Sequence, residues 1–199
     1  MAITPERFAL GMTYDEFKAQ MTRNQERFEA NEKRFEPTAE DLAAFKALPE
    51  SENVMVLAED WCGDVIDNLP ILGRLASTSG KLNLRVFLRD QNADLMDQYL
   101  NKGEFRSIPV FAFFDGEFNE LGHFIERPES ITARRAQLRK DLYAAHPEFG
   151  SPDTPISQMP EDVRAQIVEA MSRWREDYKD ADTQAVVDEL RAIATMDGK

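Results

Sequence analysis

Val54-Met-Val-Leu-Ala-Glu-Asp-Trp-Cys-Gly-Asp-Val65 is the stretch of sequence that decides the fold of this chain. Its apolar run, residues 54–58, is short and is followed by turn-forming residues, which predicts a buried strand rather than a helix. An amphipathic run over residues 65–75 predicts that a helix follows at once. The turn between the two contains Cys62, the only cysteine of the sequence. Because a helix N-terminus presents unpaired N–H groups and a partial positive charge, this position favours the nucleophilic thiolate.

The composition is typical of a globular protein. The 199 residues are 42% hydrophobic and 10% aromatic, which predicts one domain with elaborations and argues against disorder. The formal net charge is −13 and the sequence pI is about 4.7. Since nucleic acids and anionic membranes are bound through an excess of lysine and arginine, we expect neither of them as a partner.

Signals for secretion, membrane insertion and metal binding are not evident in the sequence. The N-terminus has no basic segment followed by an apolar one, and no apolar run approaches the roughly 20 residues that span a bilayer. One cysteine cannot form an internal disulfide, so we expect a reducing compartment and a cytoplasmic location. One cysteine and two histidines, His123 and His146, argue against a structural zinc site, and no metal ligand is predicted.

Residues 1–49 are expected to be helical. Thr13 and Glu16 form a capping-box pattern, which predicts one helix that extends as far as Pro37. Thr38 and Asp41 mark the start of the next helix. The first helix carries apolar residues at helical spacing, which we expect to cover part of the core: Phe17, Met21, Phe28 and Phe35.

The middle of the chain predicts three more strands. Residues 84–88 and 110–114 are apolar, Asp115-Gly116 is a hairpin-turn signal, and residues 118–125 form the returning strand. The helix after Cys62 contains Pro70, which removes one backbone hydrogen bond and predicts a kink. The two strands that flank this helix should be parallel, and the last two should be antiparallel.

The C-terminal part of the chain is predicted to be helical over residues 128–142, to form a loop over residues 147–158, and to form two further helices after Pro160 and Thr183. Arg127, just before the first of these helices, is interpreted as solvated surface. The last two helices are amphipathic, with faces that either pack on the core or form a dimer interface. These faces consist of Val163, Ile167, Met171, Trp174 and Tyr178 in the first helix and of Val186, Val187, Leu190 and Ile193 in the second.

Three local signals, in this order and spacing, resemble the thioredoxin family. Glu59-Asp-Trp-Cys-Gly-Asp-Val65 is similar to the active-site segment of the family, Ser107-Ile-Pro109 to its cis-proline loop, and Phe113-Phe-Asp-Gly-Glu117 to its final hairpin. The resemblance covers about residues 50–145. It implies an α/β, thioredoxin-like three-layer sandwich with a central mixed sheet of about four strands. It assigns residues 50–146 to a thioredoxin-like domain. The helical patterns outside it predict an N-terminal helical extension packed on the core (1–49) and a C-terminal helical extension (147–199).

The resemblance implies a site around the cysteine. Cys62 corresponds to the attacking, catalytic cysteine of the family. The backbone beside a cis Pro109 would pair with an extended peptide or with glutathione, in the manner of an added strand. The implied substrate-binding residues are Trp61, Gly63, Asp64, Ile108 and Pro109.

Four more residues are candidate modulators of the thiol: Glu59, Asp60, Arg106 and His123. The carboxylates of Glu59, Asp60 and Asp64 disfavour a thiolate and oppose the helix dipole. Arg106, or alternatively Arg89, would offset them if it points inward, so the net effect on the thiol pKa stays open. His123 would pair with Cys62 as imidazole and thiolate if the two are close, although a lone strand histidine is more often structural.

The chain departs from the family pattern at the second cysteine. The family motif is Cys-x-x-Cys, whereas this chain has Cys62-Gly-Asp-Val65. A mixed disulfide must be broken by a second thiol, which this chain does not contain. The buried acid that the family often carries six residues before the attacking cysteine is replaced by Val56. An ordinary dithiol–disulfide cycle within one molecule is therefore excluded.

Two functions remain open at this point. In the first, the protein is a monothiol thiol–disulfide oxidoreductase that needs no cofactor, acts on a protein disulfide or on glutathione, and uses an external thiol such as glutathione to regenerate Cys62. In the second, it is a redox-inactive binding module in which Cys62 is a remnant, buried and inert as free cysteines often are. The added helices would then provide a partner surface or the contact of a homodimer.

Overall fold

Residues 3–196, the part of the chain that this computed structural model describes, contain four strands in one mixed sheet. They are β1 (Glu52–Ala58), β2 (Leu82–Leu88), β3 (Val110–Phe114) and β4 (Glu120–Ile125). Their order in the sheet is β2-β1-β3-β4. β1 is parallel to β2 and antiparallel to β3, and β4 is antiparallel to β3. The predicted strand directions are therefore confirmed.

The two central strands are covered on both faces. All residues of 54–58 and of 110–114 are buried, so these strands show an unbroken apolar run instead of an alternating pattern. Helices therefore lie on both sides of the sheet, and the α/β thioredoxin-like sandwich predicted from the sequence is confirmed.

The helices begin and end close to the predicted positions, with one exception in the N-terminal part. Their bounds are α1 (Pro5–Ala9), α2 (Tyr14–Gln20), α3 (Gln25–Arg34), α4 (Ala39–Lys46), α5 (Gly63–Ser79), α6 (Ala93–Met96), α7 (Glu129–Ala145), α8 (Glu161–Asp177) and α9 (Lys179–Ala194). Both predicted capping boxes are present, at the starts of α2 and α4. None of the helices within residues 3–196 combines the length and the apolarity that crossing a membrane requires.

The single helix predicted to extend to Pro37 is wrong, because it breaks between α2 and α3. The backbone N–H groups of Thr22 and Arg23 donate to the carboxylate of Asp60, at 2.8 and 3.1 Å, instead of to helix carbonyls. Asn24 then adopts a left-handed conformation with φ 57°. The break is thus held by a residue of the segment that precedes Cys62, which the local pattern of residues 13–37 does not contain.

Helix α3 compensates for the proline in α5. Pro70 lies inside α5 and has no N–H, so the carbonyl of Ile66, four residues earlier, lacks its usual helical donor. The side-chain amide of Asn31 donates to that carbonyl at 2.8 Å. One residue further along, Arg27 forms an ion pair with Asp67 at 2.7 Å. These polar contacts fix the N-terminal helices on the helix that follows the cysteine.

The chain divides into two compact units. The first comprises residues up to 128 and from 186 onward, and the second comprises residues 129–185. In the first unit, Val186, Val187, Leu190 and Ile193 of α9 are buried, as expected of an amphipathic face that packs. Gly122 of β4 permits a close approach here, since a Cβ at this position would lie 3.1 Å from Ile193. The division at residues 49 and 146 stays a prediction.

The second unit has a small apolar cluster of its own. It includes Val163 and Ile167 of α8, two of the residues expected to pack, together with Tyr143, Phe149 and Met159. Arg134 lies over the ring of Tyr178 at 4.8 Å and forms an ion pair with Asp182. The apolar face of α8 is therefore partly buried by residues of α7 and of the following turn.

Candidate functional site

Cys62 is the N-cap residue of α5. Gly63 is the first residue of that helix, and the first helical hydrogen bond runs from Ile66 N–H to the Cys62 carbonyl at 3.1 Å. The thiol is partly exposed and donates to the carbonyl oxygen of Ile108, with 3.4 Å between sulfur and oxygen. The Ile108–Pro109 peptide bond is cis. The structure thus brings together the cysteine and the proline loop, which are 46 residues apart in the sequence.

The pKa of the Cys62 thiol is raised above its ordinary value. Burial is the largest cause, and the negative charges of Asp64 and Glu126 act in the same direction. Backbone N–H groups of Val65 and Asp64 stabilise the thiolate and oppose this rise, but they do not outweigh it. The position of Cys62 at the N-terminus of a helix would by itself lower the pKa of the thiol. Burial therefore decides the protonation state, and the thiol is protonated at neutral pH.

Two of the acidic residues before Cys62 are bound to backbone groups. An oxygen of the Glu59 carboxyl accepts a hydrogen bond from the Asp90 N–H at 2.9 Å. Burial raises the pKa of Glu59. Asp60 holds the residues between α2 and α3 through its carboxylate, and its carbonyl accepts from the Asn24 amide at 2.8 Å. Both residues fix the shape of the turn that presents the thiol.

Asp64 forms the ion pair that lies next to the thiol. Its carboxylate is buried and binds the guanidinium of Arg127, with 2.6 Å between Asp64 Oδ2 and Arg127 Nη2. Arg127 also pairs with Glu126, and its side chain is only 19% exposed. The interpretation of Arg127 as solvated surface is therefore wrong. Arg127 and Cys62 interact electrostatically, so the positive charge near the sulfur belongs to Arg127.

The strand pairing contains the signal that locates Arg127. Val110 pairs with Ile125 in the hairpin, and the Glu126 N–H donates to the Pro109 carbonyl at 2.8 Å. The residues that follow β4 must therefore lie beside the proline loop. The register shifts between Phe113 and Phe114, so counting from the Asp115-Gly116 turn alone does not give this pairing. The level of Arg127 follows from the pairing of β3 with β4 in the folded protein.

The two arginines expected to offset the acidic residues have other partners. Arg106 binds Asp97 through two hydrogen bonds of 2.8 and 2.9 Å. Arg89 lies over the ring of Trp61, with 4.8 Å between the guanidinium carbon and the ring centre. Trp61 is nevertheless 42% exposed and forms an apolar surface beside the turn.

His123 has a carboxylate partner in its own strand. Its Nδ1 lies 2.8 Å from an oxygen of Glu120, whose hydrogen bond and charge raise the pKa of the imidazole. The edge of Tyr99 packs against the ring at 5.3 Å between centres. These contacts account for the position of His123 without any interaction with Cys62.

Comparisons with known proteins agree with this geometry. A family model described as Thioredoxin matches residues 11–139. A protein of unknown function from Pseudomonas aeruginosa has a similar crystal structure, with 20% identity, a TM-score of 0.65 and 97% of each chain covered. A crystal structure described as an HIV epitope scaffold is 16% identical, with a TM-score of 0.63 over 96% of this chain and 97% of the other.

A germline-specific thioredoxin from Drosophila melanogaster matches 47% of this chain and 86% of its own, at 23% identity and a TM-score of 0.33. No curated protein matches the sequence.

Proposed function

We propose that this chain, which belongs to the thioredoxin family, carries out thiol–disulfide exchange through Cys62. An external thiol completes the cycle. One observation carries this proposal. The sulfur lies 3.4 Å from the Ile108 carbonyl, next to the cis Ile108–Pro109 bond, and it is partly exposed. A thiol in this position is accessible to a disulfide whose flanking backbone lies along the proline loop.

The exchange takes place in two steps. The Cys62 thiolate attacks one sulfur of a protein disulfide or of a glutathione mixed disulfide; one S–S bond forms, one breaks, and the departing thiolate takes up a proton. Because Val65 stands at the position of the resolving cysteine, a second, external thiolate such as glutathione then attacks the mixed disulfide and releases Cys62. The reaction requires no resident cofactor. We place it in the cytoplasm, where a thiol pool is available.

The neighbouring residues act on the substrate and on the proton of Cys62. Trp61 provides an apolar surface for the substrate, Ile108 and Pro109 provide its backbone contacts, and Gly63 leaves the sulfur uncovered. Asp64 is paired with Arg127, and its negative charge raises the pKa of the Cys62 thiol, which slows the exchange. The rate should therefore be low at neutral pH and rise with pH.

The experiment is an assay of glutathione-dependent reduction of a mixed disulfide between glutathione and a small thiol. We expect turnover that Cys62→Ser abolishes and that increases about tenfold per pH unit between pH 7 and 8, because only the thiolate reacts and its pKa is raised. Absence of turnover, together with no alkylation of Cys62 up to pH 9, would refute the proposal.

The variant Val65→Cys tests the attacking geometry separately. Val65 is fully buried in the first turn of α5, where a second thiol would be able to break the mixed disulfide within the molecule. We expect this variant to gain reduction of insulin disulfides that the parent protein lacks. A folded but inert variant would contradict the proposed geometry.

A redox-inactive binding module is the second candidate function. The observation that favours it is the hydrogen bond that the thiol donates to Ile108, together with the raised pKa of Cys62. Both stabilise the protonated, unreactive form. In that case Cys62→Ser would leave every cellular function of the protein unchanged, whereas a substitution on the Trp61 surface would not.

A further inference from the structure

A cavity that is open to solvent lies at the end of β1 opposite to Cys62, entirely within the first unit. Its volume is about 580 Å³, which is in the range of small-molecule sites. The connection between α4 and β1, the β3–β4 hairpin and the end of α9 enclose it. Its apolar walls include Ala47, Leu48, Leu121 and Met196.

Glu52 is the unusual residue in the wall of this cavity. It is the first residue of β1, it is 93% buried, and its Oε2 atom has no hydrogen-bond partner. An unpaired polar atom in a buried position costs free energy, and an unpaired charge costs more. Burial raises the pKa of Glu52 to about 7, so that near neutral pH the group is poised between its neutral and charged forms.

Two other carboxylates, those of Asp115 and Glu50, line the cavity, whereas Lys81 lies beside it and is not part of its wall. The carboxylate of Asp115 accepts the N–H groups of Glu117 and Asn119 and so closes the hairpin turn. The ammonium of Lys81, beside the start of β1, donates to the Leu48 carbonyl at 2.8 Å. Glu50 is exposed, and its carboxylate lies close to Gly116. A Cβ at Gly116 would lie 3.2 Å from Glu50 Oε2.

We propose that this cavity binds a primary ammonium group on a short aliphatic chain, with Glu52 as its buried counter-charge and Glu50 as a second carboxylate at its edge. The apolar walls receive the aliphatic part. The ammonium gives the Glu52 carboxylate the hydrogen-bond donor that it lacks in the free protein, and this pairing offsets the burial of both charges.

The test is a titration of the full chain with n-butylammonium, followed by NMR through the amide signals of Ser51 and Gly116. Binding requires ionised Glu52, and with a pKa of about 7 the ionised fraction rises from about one tenth at pH 6 to about nine tenths at pH 8. The apparent affinity should therefore rise about tenfold over this range. The ligand keeps its charge throughout, since alkylammonium groups titrate near 10.4.

Three comparisons make the test specific. Glu52→Gln should reduce the affinity at pH 8 at least tenfold, and n-butanol, which has the same chain without the charge, should not compete. Glu189→Gln is the matched control, because Glu189 is another partly buried glutamate with a raised pKa that does not line the cavity. It should leave binding unchanged. Equal binding of the parent protein and Glu52→Gln, or no binding at pH 8, would overturn the proposal.

Two probes distinguish the source of the ammonium group. A free small amine and the lysine side chain of a protein share this chemistry, so the titration is repeated with the blocked peptide acetyl-Gly-Lys-Gly-amide. Binding of n-butylammonium alone assigns a free amine, and binding of both probes assigns a lysine side chain. Failure of both probes overturns the assignment. Because the cavity lies about 20 Å from Cys62, the length of β1, none of these outcomes depends on thiol exchange.

Discussion

An ionisable side chain is wholly or partly buried at each end of β1, but the carboxylates at the two ends differ in whether they have partners. Glu52 begins the strand and Cys62 follows its end, and burial is the largest cause of the raised pKa at both. Around Cys62 the neighbouring carboxylates have partners: Asp64 binds Arg127, and Asp60 binds the backbone between α2 and α3. At Glu52 the Oε2 atom has no such partner. The Asp64 carboxylate is thus fixed by an ion pair, whereas the Glu52 carboxyl is left to be neutralised by a proton.

The stability of the protein should therefore respond differently to mutations at the two ends of β1. A partnered charge stabilises the fold only as long as its partner is present, since removal of one member leaves the other buried and unpaired. An unpartnered acid behaves in the opposite way, because replacing it with a neutral side chain removes a cost.

Removing the arginine at the thiol end should have the largest effect. Arg127→Met leaves the buried Asp64 carboxylate without its guanidinium, and we expect the free energy of unfolding to fall by about 3 kcal/mol. Urea unfolding at pH 7 measures it. The matched control is Arg106→Met, which breaks an ion pair with Asp97 in which both side chains are about half exposed. It should cost less than about 1 kcal/mol, and equal losses in the two variants would contradict the contrast.

Replacing Glu52 should change the free energy of unfolding in the opposite direction, and the size of that change should depend on pH. The folded-state pKa of Glu52, about 7, lies above its ordinary value of 4.5. The folded protein therefore keeps a proton that the unfolded chain loses. This contribution to stability is complete below pH 4.5 and is lost as the pH rises through 7.

Unfolding of the parent protein and of Glu52→Gln between pH 5 and 8 measures this effect. We expect the parent protein to lose about 2–3 kcal/mol relative to the variant over this range. The parallel experiment with Glu59→Gln gives a comparison with a carboxyl whose pKa burial also raises, but whose hydrogen bond from the Asp90 N–H opposes that rise. A stability difference between parent and Glu52→Gln that is independent of pH would show that Glu52 does not hold its proton in the folded state.

The smallest effect concerns the reactivity of the thiol. Asp64→Asn removes a negative charge beside Cys62 and leaves the charge of Arg127, so the thiol pKa should fall. Alkylation by iodoacetamide at pH 7 should become about threefold faster, because a larger fraction of the thiol is then ionised. Asp97→Asn, a change at a surface ion pair, is the control and should leave the rate unchanged. A slower reaction of Asp64→Asn would mean that Asp64 activates the thiol.

The thioredoxin-like sheet was largely predictable from local residue patterns. The apolar runs that became β1 and β3 are buried on both faces, and Asp115-Gly116 lies in the turn of the final hairpin. These features depend on residues that are neighbours in the sequence, so the pattern of apolar residues and the turn-forming residues are enough to predict them. The error in the N-terminal part has a long-range cause, because Asp60 interrupts a helical pattern that is continuous in sequence.

The candidate site was predictable in its residues but not in its electrostatics. The position of Cys62 at the start of a helix and that of Pro109 before a strand follow from sequence order alone. The local pattern of strand, turn and helix determines in which element each of these residues lies. The net sign of the shift in the thiol pKa depends on burial and on the charges of Asp64 and Glu126. Glu126 reaches the site only through the pairing of β3 with β4. Desolvation and charge act through distances in space, and separations along the chain do not encode them.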